Sequence, residues 1–482
     1  MNRQALAKVC GRNPTGCSGP QLNLQPSDRR RVEGAFNGGR VTSDGGLLLL
    51  RELTIRSGIF RRLAACFKDH RDPTRTEHTV EQLLAQRVLG ILCGYEDLND
   101  HDTLRDDAML ALAAGKDDPL GATRPRERDR GHALAGKSTL NRLELAADTI
   151  EEGERYKKIC YNHHAIERLF VDDFLDAHAE APAEIILDLD ATDDPVHGNQ
   201  EGRYFNGFYG HYCYLPLYVF CGEHLLGATL NTADVGPGKH AVEELERIAS
   251  QIVARWPDVR IIIRGDSGFC SDELMTWCEE NGVDFVVGLA KNSRLSEEIE
   301  GEMAEARAEY ERTKKDARVF KEFSYKTLKS WSRERRVIGK AEYIPEKENP
   351  RFVVTSLPAD RWAARALYEE LYCARGEMEN RIKEQQLGLF ADRTSAHTIR
   401  ANQLRLWLSS VAYLIAHELR RVALAGTELA RAQVSTIRSR LLKIGALVKV
   451  SVRRIAVEMS SVFPLQGLFQ TALEKIRALS TA

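Results

Sequence analysis

The chain has no apolar run of about 18 residues or more, the length a helix needs to span a bilayer. Its start, MNRQALAKVCGRNPTG, carries no apolar signal core either. These absences argue against an integral helical membrane protein and an exported one, and the expectation is a soluble, cytoplasmic protein. Ten cysteines occur without a CxxC pair or a His/Cys cluster of zinc spacing. No zinc-binding pattern is thereby offered, and their scatter suits reduced thiols. A basic excess is missing as well: the formal net charge is −2, so overall charge does not announce a nucleic-acid partner. No internal repeat or low-complexity tract is present, which excludes a solenoid. The 482 residues suffice for three or four domains with an ample core.

What the chain does have is three carboxylates in recognisable settings. Asp190 lies in EIILDLDATDD and Asp266 in IIIRGDSGF, after β-branched apolar runs (185–187 and 260–263) that predict short buried strands. Glu379 stands in YCARGEMENRIKE, within a stretch of helix formers from 363 to 386. The period-two spacing of Asp188, Asp190 and Thr192 puts both acids on one face of an otherwise apolar strand. Two unpaired like charges there are costly, and a cation relieves the cost. Gly265 and Gly268 bracket Asp266 and allow a sharp turn and close approach. Two strand-end aspartates and a helical glutamate suit two hard cations that activate an attacking oxygen and stabilise a leaving one on phosphorus.

The segments LDLDATDDPVHGNQEG, YFNGFYGHYCYLPLYVF, RGDSGF and RGEMENRIKE occur in that order. Together they resemble a bacterial insertion-sequence transposase of the DDE class, in the group whose third motif reads Tyr-x2-Arg-x3-Glu-x6-Lys. Tyr372, Arg375 and Glu379 fall at those spacings, but the last position holds Gln386. The nearest lysine, Lys383, shares a helix face with Arg375 and Glu379. The resemblance implies an α/β, RNase H-like mixed sheet flanked by helices, in which Asp190, Asp266 and Glu379 bind two Mg²⁺ or Mn²⁺ ions. Asp188 remains the alternative first acid. Also implied are cleavage and strand transfer at terminal inverted repeats, with Tyr372, Arg375 and Lys383 on the DNA phosphates. The partners would be double-stranded DNA of element ends and target, bound by a homodimer at the nucleoid. A nuclease of the same fold without strand transfer, or an inactive transposase-derived DNA-binding protein, are the competing readings.

The stretch from Asp266 to Glu379 is far longer than one strand and one helix require, so an insertion is expected at 293–356. A charged helix over 295–315 and strands near 319–325, 336–343 and 351–355 predict a small antiparallel sheet. In some transposases of the resembled group an aromatic residue of such a module stacks on a flipped base. Trp331, flanked by Lys329, Arg333, Arg335 and Arg336, is the candidate here. Its alternative role is to pack the small sheet.

Around this core, residues 1–180 are expected to be mostly helical and DNA-binding, 181–292 and 357–425 to form the two parts of the catalytic core, and 426–482 a basic helical segment. Helices are predicted over 45–66, 78–93, 105–114 and 138–162, the last capped by Ser138 with Lys137, Asn141 and Arg142 near its exposed first turn. No acid stands between Glu428 and Glu458, while Arg431, Arg438, Arg440, Lys443, Lys449, Arg453 and Arg454 do. Such a stripe is either a phosphate-facing surface or a solvated face. Gly131 to Ser138 spells a complete P-loop pattern, yet a charged, proline-containing run precedes it where that loop needs an apolar strand. No nucleotide cofactor is therefore expected. His197, His211, His224 and His240 match no compact ligand motif.

Overall fold

The computed structural model describes residues 21–149, 156–345 and 347–479. The amino-terminal stretch without a signal core, with Cys10 and Cys17, lies outside the described residues. A nine-stranded mixed sheet organises the molecule. Its strands are β1 (Glu184–Ala191), β2 (Leu217–Cys221), β3 (His224–Thr229), β4 (Arg260–Gly265), β5 (Asp284–Leu289), β6 (Ala317–Tyr325), β7 (Arg335–Ile344), β8 (Lys347–Glu348) and β9 (Arg351–Thr355). Their order is β3-β2-β1-β4-β5-β9-β7-β6, with β8 on β7. β4 is parallel to β1 and to β5, whereas β2 is antiparallel to both β1 and β3.

Strand alternation sorts the two faces of β1. Ile185, Leu187 and Leu189 pack with Leu245, Ile248 and Ile252 of the helix Ala241–Arg255 and with Leu274 and Met275 of the helix Asp272–Glu280. Ile186, Asp188 and Asp190 take the opposite face. There a helical stretch from Ala364 to Gly388, widened by two π-helical turns, covers the sheet through Leu367, Tyr368 and Leu371.

The expected insertion does not build a sheet of its own. β9 pairs with β5 and β7 pairs with β9, so its strands extend the central sheet. The physical reason is the edge of β5: Phe285, Val286 and Val287 are all buried, and an uncovered apolar edge invites unwanted pairing. RFVVT of β9 covers it.

The helix Ile399–Glu418, capped by the Thr398 hydroxyl, is buried on nearly every side, as its mainly apolar stretch 406–416 requires. It lies against both β3 and the helix Val80–Cys93. Amino-terminal helices, this helix, and Tyr218, Phe220 and Leu225 of the sheet consequently share one hydrophobic core. No helix among the described residues is long and apolar enough to cross a membrane.

Three expectations about the flanks need correction. The 45–66 run is two helices, Leu47–Ser57 and Ile59–Ala65, broken at left-handed Gly58. The 138–162 helix spans only Lys137–Glu144, begins at Gly136 without a side-chain cap, and is followed by the strand Ile159–Tyr161, which pairs with Phe67–Asp69. The carboxy-terminal segment is not wholly helical: Ala446–Val450 and Ile455–Met459 form a hairpin that pairs with Val41–Thr42. Alternating Val448, Val450, Ile455 and Val457 favour the strand. Much of its basic stripe is spent internally. Arg438 donates to the carbonyls of Ile91, Leu92 and Gly388, and Lys443 pairs with Asp44 at 2.7 Å and Lys449 with Glu458 at 2.7 Å.

Candidate functional site

Register brings the first two acids side by side. Gly265 of β4 stands opposite Leu189 of β1, so Asp266, the next residue, lies at the strand ends beside Asp190. The chain turns there because Asp266 Oδ1 accepts the amide of Gly268 at 2.8 Å, capping a short turn. The flanking glycines are required by the protein itself: a side chain on Gly265 would crowd Phe269, and one on Gly268 would meet Pro237 at 2.5 Å. Tyr372 is drawn in likewise, its hydroxyl 2.7 Å from where a Cβ on Gly288 of β5 would stand.

The helical stretch over this face delivers Glu379. Arg375 lies between the acids, 3.5 Å from Asp190 and 3.2 Å from Glu379. Burial first, then the charges of Asp266 and Glu379, push the Asp190 carboxyl up to about 6, against the pull of Arg375. The Arg375 guanidinium loses solvation on burial but is held firmly charged by Asp190, Tyr372, Asp266 and Glu379. Burial likewise raises the Tyr372 phenol, with Arg375 opposing it and Asp266 reinforcing it. Asp190, Asp266, Glu379, Tyr372 and Arg375 therefore share one electrostatic neighbourhood.

Asp188 occupies a different position in this charge pattern. It is 2 % exposed and accepts two bonds from Arg264, at 2.5 and 2.8 Å. Arg264 also donates to the Leu371 carbonyl, tying the sheet to the helical stretch above it. Burial pushes the Asp188 carboxyl up and this pairing pulls it back. Arg264 was legible in RGDSGF only with the register known, because it stands directly opposite Asp188 across the β1–β4 pair.

Gln386, at the position of the motif's final lysine, donates to the Asp193 carbonyl and to Asp194, fixing the loop after β1. Lys383 is exposed one turn earlier. Trp331 is only 5 % exposed; it packs edge-on against Tyr325 with Arg335 over its ring. These contacts are those of a ring that packs the sheet. Exposed rings stand elsewhere, on the hairpin Tyr204–Asn206 and His211–Tyr214 that follows β1. Phe208 is 89 % exposed and meets Tyr209 edge-on at 5.0 Å, and the Tyr209 phenol is pushed up to about 12 by burial, then by Asp193, Asp190 and Asp266. Sequence reasoning missed this pair, although YFNGFYGHYCY displays it.

Among the described residues no group of three or more Asp, Glu, His or Cys side chains is closed into a metal-ligand set. The donor chemistry nevertheless fits a divalent ion. Three hard carboxylates face one guanidinium, which leaves two negative charges unbalanced, and the charges of Asp266 and Glu379 add to the burial that raises the Asp190 carboxyl. Residues 24–481 match the family model described as "Transposase DDE domain group 1". No curated protein matches the chain.

Proposed function

The chain belongs to the DDE transposase family, and from that premise we propose that it binds the terminal inverted repeats of an insertion sequence and catalyses their cleavage and transfer. The observation that carries the reading is the meeting of Asp190, Asp266 and Glu379 around Arg375. The strand order β3-β2-β1-β4-β5, with two acids at the ends of adjacent parallel strands and the third on a covering helix, supports an RNase H-like core. Asp190, Asp266 and Glu379 are the residues that would hold two Mg²⁺ or Mn²⁺ ions, which when bound supply charge neutralisation and an activated oxygen.

The chain's own residues bind and orient. Arg375 and Tyr372 hold the scissile phosphate, and exposed Lys383 takes a neighbouring one. Water adds to phosphorus as the P–O3′ bond breaks, freeing a 3′-hydroxyl on the element end. That hydroxyl then attacks a second phosphodiester, so one P–O bond forms and one breaks. Positioning and charge stabilisation account for the acceleration. Double-stranded DNA is the partner, and a homodimer holds two ends together.

The test is incubation with Mg²⁺ and a duplex carrying the repeats that flank the gene. The parent should nick and join. D266A should still bind DNA while cleavage falls by about 10²- to 10³-fold or more. Cutting by D266A at the parent's rate would remove Asp266 from the site, and nicking without a joined product would leave a nuclease.

A further inference from the structure

Away from the acids, the amino-terminal helices enclose a cleft of about 860 Å³ between residues 70–78, 102–105, 124–142 and 156–159. Seven arginines and two lysines face four carboxylates across it. That is a surplus of five positive charges in a chain whose net charge is −2. The acids are shared out among the cations: Glu77 serves both Arg124 and Arg126, and Asp129 both Arg105 and Arg128. Arg142 instead lies over the Tyr156 ring at 5.2 Å.

An independent observation points to an anionic ligand. His78 lines the cleft, is 8 % exposed, and its Nδ1 has no hydrogen-bond partner. Burial and then the charges of Lys116, Arg124, Arg71 and Arg105 push it down to about 3, so the ring stays neutral in a strongly positive field. The Nε–H groups of Arg105 and Arg124 are buried and unpartnered as well. Donors left over in a positive cleft are what phosphate oxygens satisfy.

We propose that this cleft is a second nucleic-acid site that takes the sugar-phosphate backbone of one DNA strand; the proposal rests on the reading of the chain as a DNA-acting enzyme. A free nucleotide is the other source of phosphate, and the P-loop pattern at the cleft's edge invites it. Its backbone argues against that. A P-loop cradles phosphate with free amides. Here the amides of Gly131, His132, Leu134, Ala135 and Lys137 are already donated, to Gly121, Asp129, Arg105, Gln86 and Asp102. A 3₁₀ turn at Glu127–Asp129, not a strand, precedes them. What remains to bind phosphate is arginine side chains, which suit an extended backbone, with Tyr156 and Arg142 offering a flat face beside it.

The experiment uses full-length protein in EDTA, so that no cutting occurs, and follows the anisotropy of a labelled repeat duplex against salt. Arg75, Arg128 and Arg142 are exposed, so the triple Gln variant R75Q/R128Q/R142Q should melt like the parent. The cleft reading expects it to bind several-fold more weakly, with a log–log salt slope lower by about 1 for each phosphate no longer neutralised. R307Q, on a helix remote in sequence, should leave the slope unchanged. Parent-like slope and affinity in the triple variant, while the parent still cleaves repeat DNA with Mg²⁺, overturns the cleft and spares the transposase reading. Saturable calorimetric binding of ATP that the triple variant loses, with its DNA slope intact, overturns it in favour of a nucleotide site. A parent that neither binds nor cuts any DNA overturns both.

Discussion

At the scale of single residues, Asp188 and Asp190 share a strand face and differ in partners. Asp188 is buried against Arg264, and removing one member of such a pair leaves a buried, uncompensated charge at a cost of about 3–5 kcal/mol. D188N should therefore melt far below the parent. D190N leaves Arg375 its Glu379 partner, so it should fold normally, bind DNA and fail to cut. Thermal melts run beside a cleavage assay check this, and a D188N that melts like the parent yet cannot cut would make Asp188 the first acid. Asp194 offers a pH prediction. Burial, with Asp392 and Asp193 adding to it, pushes its carboxyl from 3.8 to about 8 despite the bond from Gln386. Because the folded state holds this proton more tightly, its contribution to stability is complete below pH 3.8, declines as pH rises, and is gone above about 8. D194N keeps the oxygen that Gln386 reaches and has no proton to lose, so its melting temperature relative to the parent should climb between pH 5 and pH 8 and then level off. Parallel curves for the two proteins would show that Asp194 is ionised throughout.

At the scale of elements, the strands that carry the two aspartates were legible in the sequence, and what joins onto them was not. Ile261-Ile262-Ile263 and Phe285-Val286-Val287 are apolar on both faces, and both became central strands. The position of Glu379 on a covering helix was also legible, from the helix formers around it. The continuation of the sheet through the insertion was not, because strand periodicity fixes which face a side chain takes but not which edge a strand joins. Trp331 shows the same gap. Its basic neighbours suggested an exposed ring, but Arg335 points inward to Asp272 and Glu279 and the ring went with it. W331A should accordingly cost about 3–5 kcal/mol, as an emptied core site does. F208A should leave the melting temperature unchanged, its ring being 89 % exposed. If that ring stacks on a base beside the acids, F208A weakens binding of end DNA by about 1–3 kcal/mol, and F208W restores it. Equal DNA affinities for F208A and the parent would remove the hairpin from the DNA path.

For the whole molecule, the question is whether the segments distinguished by composition are separable bodies. The amino-terminal helices bury Leu83, Leu84 and Leu89 in the same apolar core as Trp407 and Val411 of the helix Ile399–Glu418 and Phe220 of the sheet. Arg87 and Arg405 are both held by Glu144, which is 1 % exposed. Removing residues 1–180 would strip one side of the helix Ile399–Glu418, expose a large apolar face, and take from Arg405 its carboxylate partner. A segment 181–482 produced alone should thus be aggregation-prone or lack fixed packing. The intact chain should unfold in urea with coincident transitions by far-ultraviolet dichroism, which follows all helices, and by tryptophan fluorescence, whose five reporters lie between residues 256 and 407. Coincidence would mean that the basic cleft and the three acids are held on one cooperative unit, so DNA engaged at the cleft is presented to the acids in a fixed relation. Two resolved transitions, with the dichroism preceding the fluorescence, would instead make the amino-terminal helices an independently folding module and leave that relation adjustable.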